Sequence, residues 1–165
     1  MKKFTPDIYV NKVTDIPINF FKENGIKLIF TDIDNTLAPH DSQIPMAGAI
    51  EWLEKVKATG VKFIALSNNR EERVKPFAEK YGMEYIFYAD KPKITKMMQK
   101  VIENDLNLPS CCVIGDQIFT DLLTAKNARV LSILVKPQFK DFKRSIVIKR
   151  FFEKPFVKHL KYTVF

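Results

Sequence analysis

The sequence predicts an α/β fold with a mainly parallel, five-stranded sheet flanked by helices. Five apolar runs have the length and composition of buried strands: residues 27–31, 61–66, 85–88, 111–114 and 130–135. Segments with helical periodicity and good helix formers lie between them: residues 46–59, 71–81, 94–105 and 118–127. Strands that alternate with helices are typical of parallel sheets with right-handed crossovers.

Glycine and proline set the boundaries of the predicted helices. A short helix at residues 18–24 precedes the first predicted strand and is stopped by Gly25. Pro45 begins the first crossover helix and Gly60 follows its end, the asymmetry that helix termini favour. Pro92 similarly marks the start of the third crossover helix.

The chain after the last predicted strand is basic and aromatic. It predicts one more helix, at residues 141–153, which ends near Pro155 because the residue before a proline disfavours helical geometry. Lysines and arginines interleave there with aromatic residues: Phe139, Phe142, Phe151, Phe152 and Phe156. This pattern is compatible with an interfacial helix on anionic lipid. It is also compatible with a helix that packs its aromatic side on the sheet and leaves its basic side in water.

Composition predicts one domain spanning residues 1–165, with the basic aromatic extension at about residues 136–165. A hydrophobic content of 46% with 14 phenylalanines is enough for a substantial core. No apolar run is long enough to span a membrane, and the first residues lack an apolar signal-peptide core, so we expect a cytoplasmic chain. Cys111 and Cys112 are adjacent in an apolar run, which argues against a structural disulfide or a zinc site.

The charge of the chain favours anionic partners. Lysine and arginine number 27 against 19 acidic residues, giving a net charge of +8, and much of the excess lies after residue 135. Phosphate esters, nucleic acid and an acidic membrane surface are all compatible with this balance.

The stretch KLIFTDIDNT, residues 27–36, carries the strongest functional signal. Alternate side chains of an extended backbone point the same way, so Asp32 and Asp34 emerge together at the carboxyl end of a strand. Open α/β sheets place their chemistry at that edge. Two carboxylates, the Thr36 hydroxyl and loop amides can hold a divalent cation and a phosphate, while one carboxylate attacks phosphorus and the other handles a proton. Alternatively, these residues only end strand pairing and cap the next helix.

The next two predicted strands lead to further candidates for phosphate contacts. Ser67 follows the second strand, and its hydroxyl and the amides from Asn68 onward can donate hydrogen bonds to phosphate oxygens. Lys91 follows the third strand, where its ammonium can neutralise a phosphoryl group. Taken singly, Ser67 is equally compatible with a helix cap, and Lys91 with a solvated loop residue.

The fourth predicted strand ends in GDQIFTD, residues 115–121. Gly115 allows close backbone approach, and Asp116 and Asp121 can supply the acidic pair that completes an oxygen-rich magnesium site. Asp116 is the stronger candidate ligand, because Asp121 can instead cap the following helix.

In this order, DIDNT, Ser67, Lys91 and GDQIFTD resemble the four motifs of the haloacid dehalogenase superfamily of phosphatases. The resemblance implies a Rossmann-like domain and a Mg²⁺ cofactor. It also implies roles: Asp32 as nucleophile, Asp34 as general acid and base, and Thr36, Ser67 and Lys91 as phosphate contacts. Asp32, the Asp34 carbonyl and Asp116 would hold the metal, with Asp121 as a direct or supporting acid.

The intervals between these motifs are short. The intervals from Thr36 to Ser67 and from Ser67 to Lys91 have no room for the cap domain that many relatives carry, so we expect an open site. The segments TPDIYVNKVTDI, NGIKLIFTDIDNTLAP, GDQIFTDLLTAKNA and the late ILVKP are similar to the YqeG-like group of subfamily IIIA, itself similar to mitochondrial phosphatidylglycerophosphate phosphatases.

The function that these observations predict is a magnesium-dependent phosphomonoesterase, with phosphatidylglycerophosphate as the lipid candidate. Its location would be cytoplasmic, with peripheral contact at the inner membrane face through the basic extension as an option. A phosphosugar, nucleotide or phosphoprotein is the alternative substrate. The non-enzymatic alternative is an RNA- or protein-binding module on the same scaffold, although nucleic acid binding has little support beyond the positive charge of the chain. The sequence gives no indication of oligomeric state.

Overall fold

The computed structural model describes residues 2–140 and 144–165, and in these residues it contains one parallel sheet flanked by helices. The six strands are β1 Ile8–Val10, β2 Leu28–Thr31, β3 Lys62–Leu66, β4 Glu84–Ile86, β5 Cys111–Gly115 and β6 Leu131–Val135. Their order across the sheet is β1-β6-β5-β2-β3-β4, and every pairing is parallel. The predicted α/β class is confirmed, whereas the predicted number of five strands is wrong. The sixth strand, β1, has only three residues and pairs on one side with β6.

Strand β2 lies at the point where the strand order reverses. Leu28 pairs with Lys62 of β3 on one side and with Cys111 of β5 on the other. The chain builds β3 and β4 outward from β2, then crosses to build β5 and β6 on the opposite side. Ligand sites of open α/β sheets lie at the carboxyl ends of strands at such a reversal. Residues that follow β2 and β5 therefore occupy the favoured position for a site.

The helices are α1 Phe20–Glu23, α2 Ala49–Lys57, α3 Glu71–Lys80, α4 Thr95–Glu103, α5 Leu123–Ala128 and α6 Arg144–Val157. Helix α2 begins at Ala49 rather than at Pro45, because Gly48 adopts a left-handed φ of 76° that interrupts helical geometry. The fourth predicted crossover helix divides into a π-helical turn, Ile118–Leu122, followed by α5. Single-turn π-helices are frequent at functional sites.

The hydrophobic core covers both faces of the sheet. Ile29 of β2 packs in a cluster with Trp52 and Phe77, whereas its neighbours Leu28 and Phe30 pack in a second cluster on the opposite side. This alternation follows from the two-residue period of a strand. Burial on both faces fixes the register of β2 and thereby the position of the residues that follow it.

Helix α6 differs from its sequence-based prediction at its carboxyl end. Residues 141–143, which include Phe142, lie outside the described residues. The helix continues through Pro155 to Val157 instead of ending near the proline. Phe156 and Val157 pack against a small cluster that contains Leu134, and this burial offsets the hydrogen bond that proline cannot make.

Helix α6 differs from a usual amphipathic surface helix in having an exposed apolar face and a buried acidic residue. Its exposed apolar face consists of Val147, Ile148, Phe151 and Phe152, with exposures of 46%, 58%, 66% and 59%. Its buried side carries Glu153, which is only 2% exposed. The aromatic residues therefore divide: Phe156 packs on the domain, whereas Phe151 and Phe152 face outward.

The segment after α6 covers the outer edge of β1. Thr163 donates its backbone N–H to the Tyr9 carbonyl at 2.7 Å and accepts a hydrogen bond from the Tyr9 N–H through its hydroxyl at 3.1 Å. The Tyr162 ring stacks on the Tyr9 ring with centroids 4.7 Å apart. Among the described residues, no helix has the length and apolar character needed to cross a membrane.

Candidate active site

The carboxyl ends of three adjacent strands bring Asp32, Asp116 and Ser67 to one edge of the sheet, after β2, β5 and β3 respectively. The Asp32 N–H extends the β2 ladder by donating to the Ile114 carbonyl at 2.8 Å. A small cavity of about 120 Å³ lies at this edge. Five of the predicted site residues line it: Asp32, Asp34, Ser67, Asn68 and Lys91.

A larger groove of about 990 Å³ adjoins this cavity and shares His40, Asn68 and Asn69 with it. In the described chain, the interval from the first motif to Ser67 holds a loop, α2 and β3, and the next interval holds only α3 and β4 before Lys91. Neither interval inserts a cap domain. The groove gives the small cavity a wide approach.

Lys91 is the electrostatic centre of the site. Its ammonium donates to Asp32 Oδ1 at 2.7 Å, to Asp121 Oδ1 at 2.6 Å and to the Leu66 carbonyl at 2.7 Å. The side chain is only 3% exposed, so the alternative of a solvated loop residue is wrong. Burial lowers the pKa of Lys91, but the two carboxylates outweigh it and raise this pKa above its ordinary value.

The surroundings of Asp32 disfavour the ionised form of its carboxyl group. Burial raises its pKa to about 7, and the nearby Asp121 and Asp34 carboxylates act in the same direction, while Lys91 opposes them. A cation bound beside Asp32 would favour the ionised carboxylate, which is the form that can attack phosphorus.

Three carboxylates form a group that suits a metal ion. Asp32, Asp116 and Asp121 each offer an oxygen, and these oxygens lie within 4.8 Å of one another. Asp116 Oδ1 is buried and has no hydrogen-bond partner within the described chain. Burial raises the pKa of Asp116 well above its ordinary value. Hard divalent cations such as Mg²⁺ take oxygen ligands, so the residues present fit such an ion.

Gly115 allows Asp121 to reach this group. A Cβ atom on Gly115 would overlap the Asp121 side chain, so the close approach requires glycine at this position. Asp121 Oδ2 accepts a hydrogen bond from the Gln117 N–H at 3.1 Å, while Oδ1 accepts one from Lys91. Asp121 thus stabilises the turn after β5 and holds Lys91 at the same time.

Asp34 lines the cavity but is not a member of the three-carboxylate group. Arg73 of α3 donates to Asp34 Oδ1 at 2.7 Å, and the Asp41 N–H donates to the same oxygen at 3.0 Å. Asn69 donates to Asp34 Oδ2 at 3.4 Å. The Asp34 carboxylate is therefore outside the candidate metal group, which is compatible with the predicted ligand being its carbonyl.

Thr36 and Asn68 are predicted to contact phosphate, but the structure gives their side chains other surroundings. Thr36 is buried, its hydroxyl has no hydrogen-bond partner among the described residues, and it lines a different cavity of about 220 Å³. The Asn68 side chain is bound to Lys91, because Asn68 Oδ1 accepts the Lys91 N–H at 2.7 Å and its Nδ2 donates to the Lys91 carbonyl at 3.1 Å. Asn68 therefore fixes the Lys91 loop.

Ser67 lies in the cavity, and its hydroxyl stabilises the turn that follows β3. The hydroxyl accepts a hydrogen bond from the Asn69 N–H at 3.1 Å, but α3 begins at Glu71 with Arg70 as its N-cap residue, so the alternative interpretation of Ser67 as a helix cap is wrong. The hydroxyl proton is still available to a phosphate oxygen, since accepting from Asn69 uses only a lone pair. The contact with Asn69 therefore leaves Ser67 able to donate to phosphate as predicted.

Sequence reasoning missed two arginines near the site. Arg73 pairs with Asp34, and Arg150 of α6 contacts the Asp116 carboxylate. Nothing in the local sequence separates Arg73 from Arg70, or Arg150 from the other basic residues of the extension. A buried ion pair between distant segments has no periodic pattern that would reveal it.

Comparison with known proteins decides the family. The family model described as mitochondrial PGP phosphatase matches residues 1–139. The chain belongs to this family. Within the chain's relatives, the probable phosphatase YqeG of Bacillus subtilis strain 168 is 39% identical over 137 residues, which is 82% of this chain and 79% of the relative. The resemblance described from the motifs is confirmed, and the protein is a phosphatase of the haloacid dehalogenase type.

Solved structures share the fold. An uncharacterised protein from Listeria monocytogenes serotype 4b matches with a TM-score of 0.58 and 19% identity, over 72% of this chain and 84% of that one. A 3-deoxy-D-manno-octulosonate 8-phosphate phosphatase from Moraxella catarrhalis, in complex with magnesium, phosphate and sugar, matches with a TM-score of 0.50 and 20% identity, over 62% and 65% of the chains. At these identities the similarity shows the fold alone.

Proposed function

We propose that this PGP phosphatase family member is a magnesium-dependent phosphomonoesterase that works through an aspartyl-phosphate on Asp32. The observation that carries the proposal is the contact of the Lys91 ammonium with Asp32 and Asp121, beside a group of three carboxylates. A carboxylate nucleophile needs cations around it, because it must approach a phosphoryl group that is itself negative. Lys91 supplies one of these cations.

The reaction has two displacements. A carboxylate oxygen of Asp32 attacks phosphorus, the bond from phosphorus to the leaving oxygen breaks, and Asp34 donates a proton to that oxygen. A water oxygen then attacks the phosphorus, Asp34 accepts the water proton, and the bond from phosphorus to Asp32 breaks. Phosphate is released and the Asp32 carboxylate is restored. Lys91 and the Ser67 hydroxyl stabilise the phosphoryl oxygens throughout.

Asp32, Asp116 and the Asp34 carbonyl are the proposed Mg²⁺ ligands, with Asp121 beside them. When bound, the ion supplies positive charge that offsets the repulsion between the Asp32 carboxylate and the phosphoryl group. The unpartnered Asp116 Oδ1 supports this ligand set, because a buried carboxylate oxygen without a hydrogen bond is unfavourable unless a cation contacts it. Asp121 has both oxygens in hydrogen bonds, which favours a supporting role.

The proposed substrate is phosphatidylglycerophosphate at an anionic membrane surface. Family membership supports this lipid, and the groove beside the cavity gives room for a bulky alcohol. Ser145, Ile146 and Lys149 of α6 line the cavity itself, so the exposed apolar face belongs to the helix that borders the site. An exposed apolar face with basic residues beside it suits peripheral binding to anionic lipid. We place the protein in the cytoplasm at the inner membrane face, as one catalytic unit spanning residues 1–165.

The chemistry is tested by phosphate release from an aryl phosphate with Asp32→Asn, in the presence and absence of Mg²⁺. We expect turnover by the wild-type protein only with Mg²⁺, and none by the variant. Asp90→Asn is the matched control, because Asp90 is exposed and pairs only with Lys93 among the described residues. Equal activity of the wild-type protein and Asp32→Asn would refute the proposed nucleophile.

The substrate is tested by comparing phosphatidylglycerophosphate in mixed micelles with phosphosugars, nucleotides and phosphopeptides. A strong preference for a soluble ester would refute the lipid assignment. Salt-sensitive RNA binding without hydrolysis of any ester would favour a binding module instead.

Membrane contact is tested by flotation with vesicles of phosphatidylglycerol and phosphatidylcholine, or of phosphatidylcholine alone. We expect binding only to the anionic vesicles, and a large loss of binding in the double variant Phe151→Ser/Phe152→Ser. Ile102→Ser of α4 is the control, since Ile102 is 72% exposed but lies on another helix. Equal binding by the double variant and the wild-type protein would refute docking through α6.

A further inference from the structure

Helix α6 places a guanidinium against the strongest candidate metal ligand. Arg150 Nη2 contacts Asp116 Oδ2, and Arg150 Nη1 donates to the Asp116 carbonyl at 2.5 Å. The Asp116 side chain is 1% exposed and the Arg150 side chain 18% exposed. One contact is to the carboxylate and the other to the backbone carbonyl of the same residue, so the planar fork restrains the Asp116 side chain relative to its own backbone.

This arrangement leaves one Asp116 oxygen available. Oδ2 is used by Arg150, whereas Oδ1 is buried and has no hydrogen-bond partner in the described part of the chain. Asp116 belongs to the group whose ligand oxygens, with those of Asp32 and Asp121, lie within 4.8 Å of one another. The carboxylate is thus held through one oxygen and free to bind a cation through the other.

Glu153, one turn further along α6, holds Arg150 in place. Arg150 Nη1 donates to Glu153 Oε2 at 3.1 Å. Glu153 Oε1 in turn accepts the Phe119 N–H at 3.1 Å, which ties α6 to the π-helical turn that carries Asp121. Because Glu153 balances the charge of Arg150, the pair orients Asp116 without adding net positive charge near a metal ion.

We propose that Arg150 is a positioning residue for metal binding, which aims Asp116 Oδ1 at the cation and is itself oriented by Glu153. Helix α6 lies beyond residue 139, where the match to the family model ends. The extension therefore contributes to the metal site as well as to the surface. This inference rests on the magnesium dependence proposed above.

The test is titration calorimetry of Mg²⁺ binding to the wild-type protein, Arg150→Met and Arg150→Lys, with circular dichroism to establish that each variant is folded. Loss of a residue that orients a metal ligand typically weakens metal affinity by about 10- to 100-fold, which we expect for Arg150→Met. Arg150→Lys keeps the charge but lacks the planar fork, so its affinity should be intermediate. Raising the Mg²⁺ concentration should restore the turnover of Arg150→Met toward the wild-type value.

Arg144→Met is the matched control, because Arg144 is an exposed arginine on the same helix. Its Mg²⁺ affinity should equal that of the wild-type protein. Unchanged or tighter Mg²⁺ affinity in folded Arg150→Met would overturn this inference and leave the proposed magnesium dependence intact. The same conclusion would follow if Arg150→Lys bound Mg²⁺ as tightly as the wild-type protein. If the wild-type protein binds no Mg²⁺, both this inference and the proposed metal dependence fail.

Discussion

The Lys91 ammonium lies 2.7 Å from Asp32 Oδ1, and both side chains are less than a tenth exposed. The candidate nucleophile is therefore fixed by a buried ion pair. Removing the cation of such a pair typically destabilises a protein by about 3–5 kcal/mol, because the carboxylate stays buried without its counter-charge. The same ammonium also holds Asp121, so its removal affects two carboxylates.

Replacing Lys91 by methionine should abolish detectable turnover and destabilise the protein by about 3–5 kcal/mol at pH 8. At pH 5 the loss of stability should be smaller, because Asp32 can then take up a proton. Urea unfolding at the two pH values measures both effects. Lys93→Met, which removes an exposed ammonium from the same loop, should change neither activity nor stability. Full activity of Lys91→Met would contradict the assignment.

Asp32 should make the metal-free protein less stable as the pH rises. Its pKa is raised to about 7 in the folded state from an ordinary value of 3.8. The folded state therefore binds the proton more tightly than the unfolded state, and the resulting stability is present below about pH 4 and lost as the pH rises through 7.

Asp32→Asn should therefore increase the Tm of the metal-free protein at pH 8 by roughly 8–16 °C and change it little at pH 4. Thermal unfolding in EDTA at a series of pH values measures this difference. Addition of Mg²⁺ at pH 8 should stabilise the wild-type protein more than the variant. A variant less stable than the wild-type protein at pH 8 would show that the raised pKa is wrong.

Gly115→Ala should displace the Asp121 side chain and with it the Lys91 contact. The new Cβ would occupy the position of the Asp121 carboxylate group, so we expect at least a ~100-fold loss of kcat. Gly25→Ala separates this effect from general destabilisation, because Gly25 has a left-handed φ of 71° but open space around its Cβ position. The control should lose stability but keep its specific activity below its Tm. Similar specific activities of the two folded variants would rule out the proposed steric role.

Arg73→Met should impair proton transfer to the leaving group. Arg73 holds the Asp34 carboxylate at 2.7 Å, and without it the carboxylate loses its defined position. An alkyl phosphate, whose alcohol needs a proton to leave, should lose turnover by at least ~10-fold, whereas a nitrophenyl phosphate should lose less. Lys75→Met on the same helix, where Lys75 is 47% exposed, is the control. Equal losses for both substrates would argue against an effect through Asp34.

The parts of the site predictable from the sequence are those that follow strand ends. Asp32, Ser67 and Asp116 come directly after β2, β3 and β5, and a parallel sheet necessarily brings these positions to one edge. Lys91 follows β4 by a short loop, and its bonds to Asn68 return it to the same edge. The periodicity of the strands and the order of the motifs are therefore sufficient to predict that these residues meet at one edge of the sheet.

The parts that the sequence did not predict depend on contacts between distant segments. Strand β1 has only three residues, and its pairing is with β6, more than 120 residues away in the sequence. The local sequence around Arg73 and Arg150 does not distinguish these two ion-pair partners from the other basic residues of the chain. The outward apolar face of α6 follows from the burial of Glu153 and its ion pair with Arg150, which helical periodicity cannot reveal.

The hydrogen bonds between Thr163 and Tyr9 have a consequence for solubility. Strand β1 ends the sheet on one side, and an uncovered strand edge is a template on which other chains can add a strand and aggregate. Thr163 uses both backbone groups of Tyr9 and so blocks the centre of this three-residue edge. The segment after α6 thereby protects the protein against edge-to-edge association, separately from any contribution that the extension makes to catalysis.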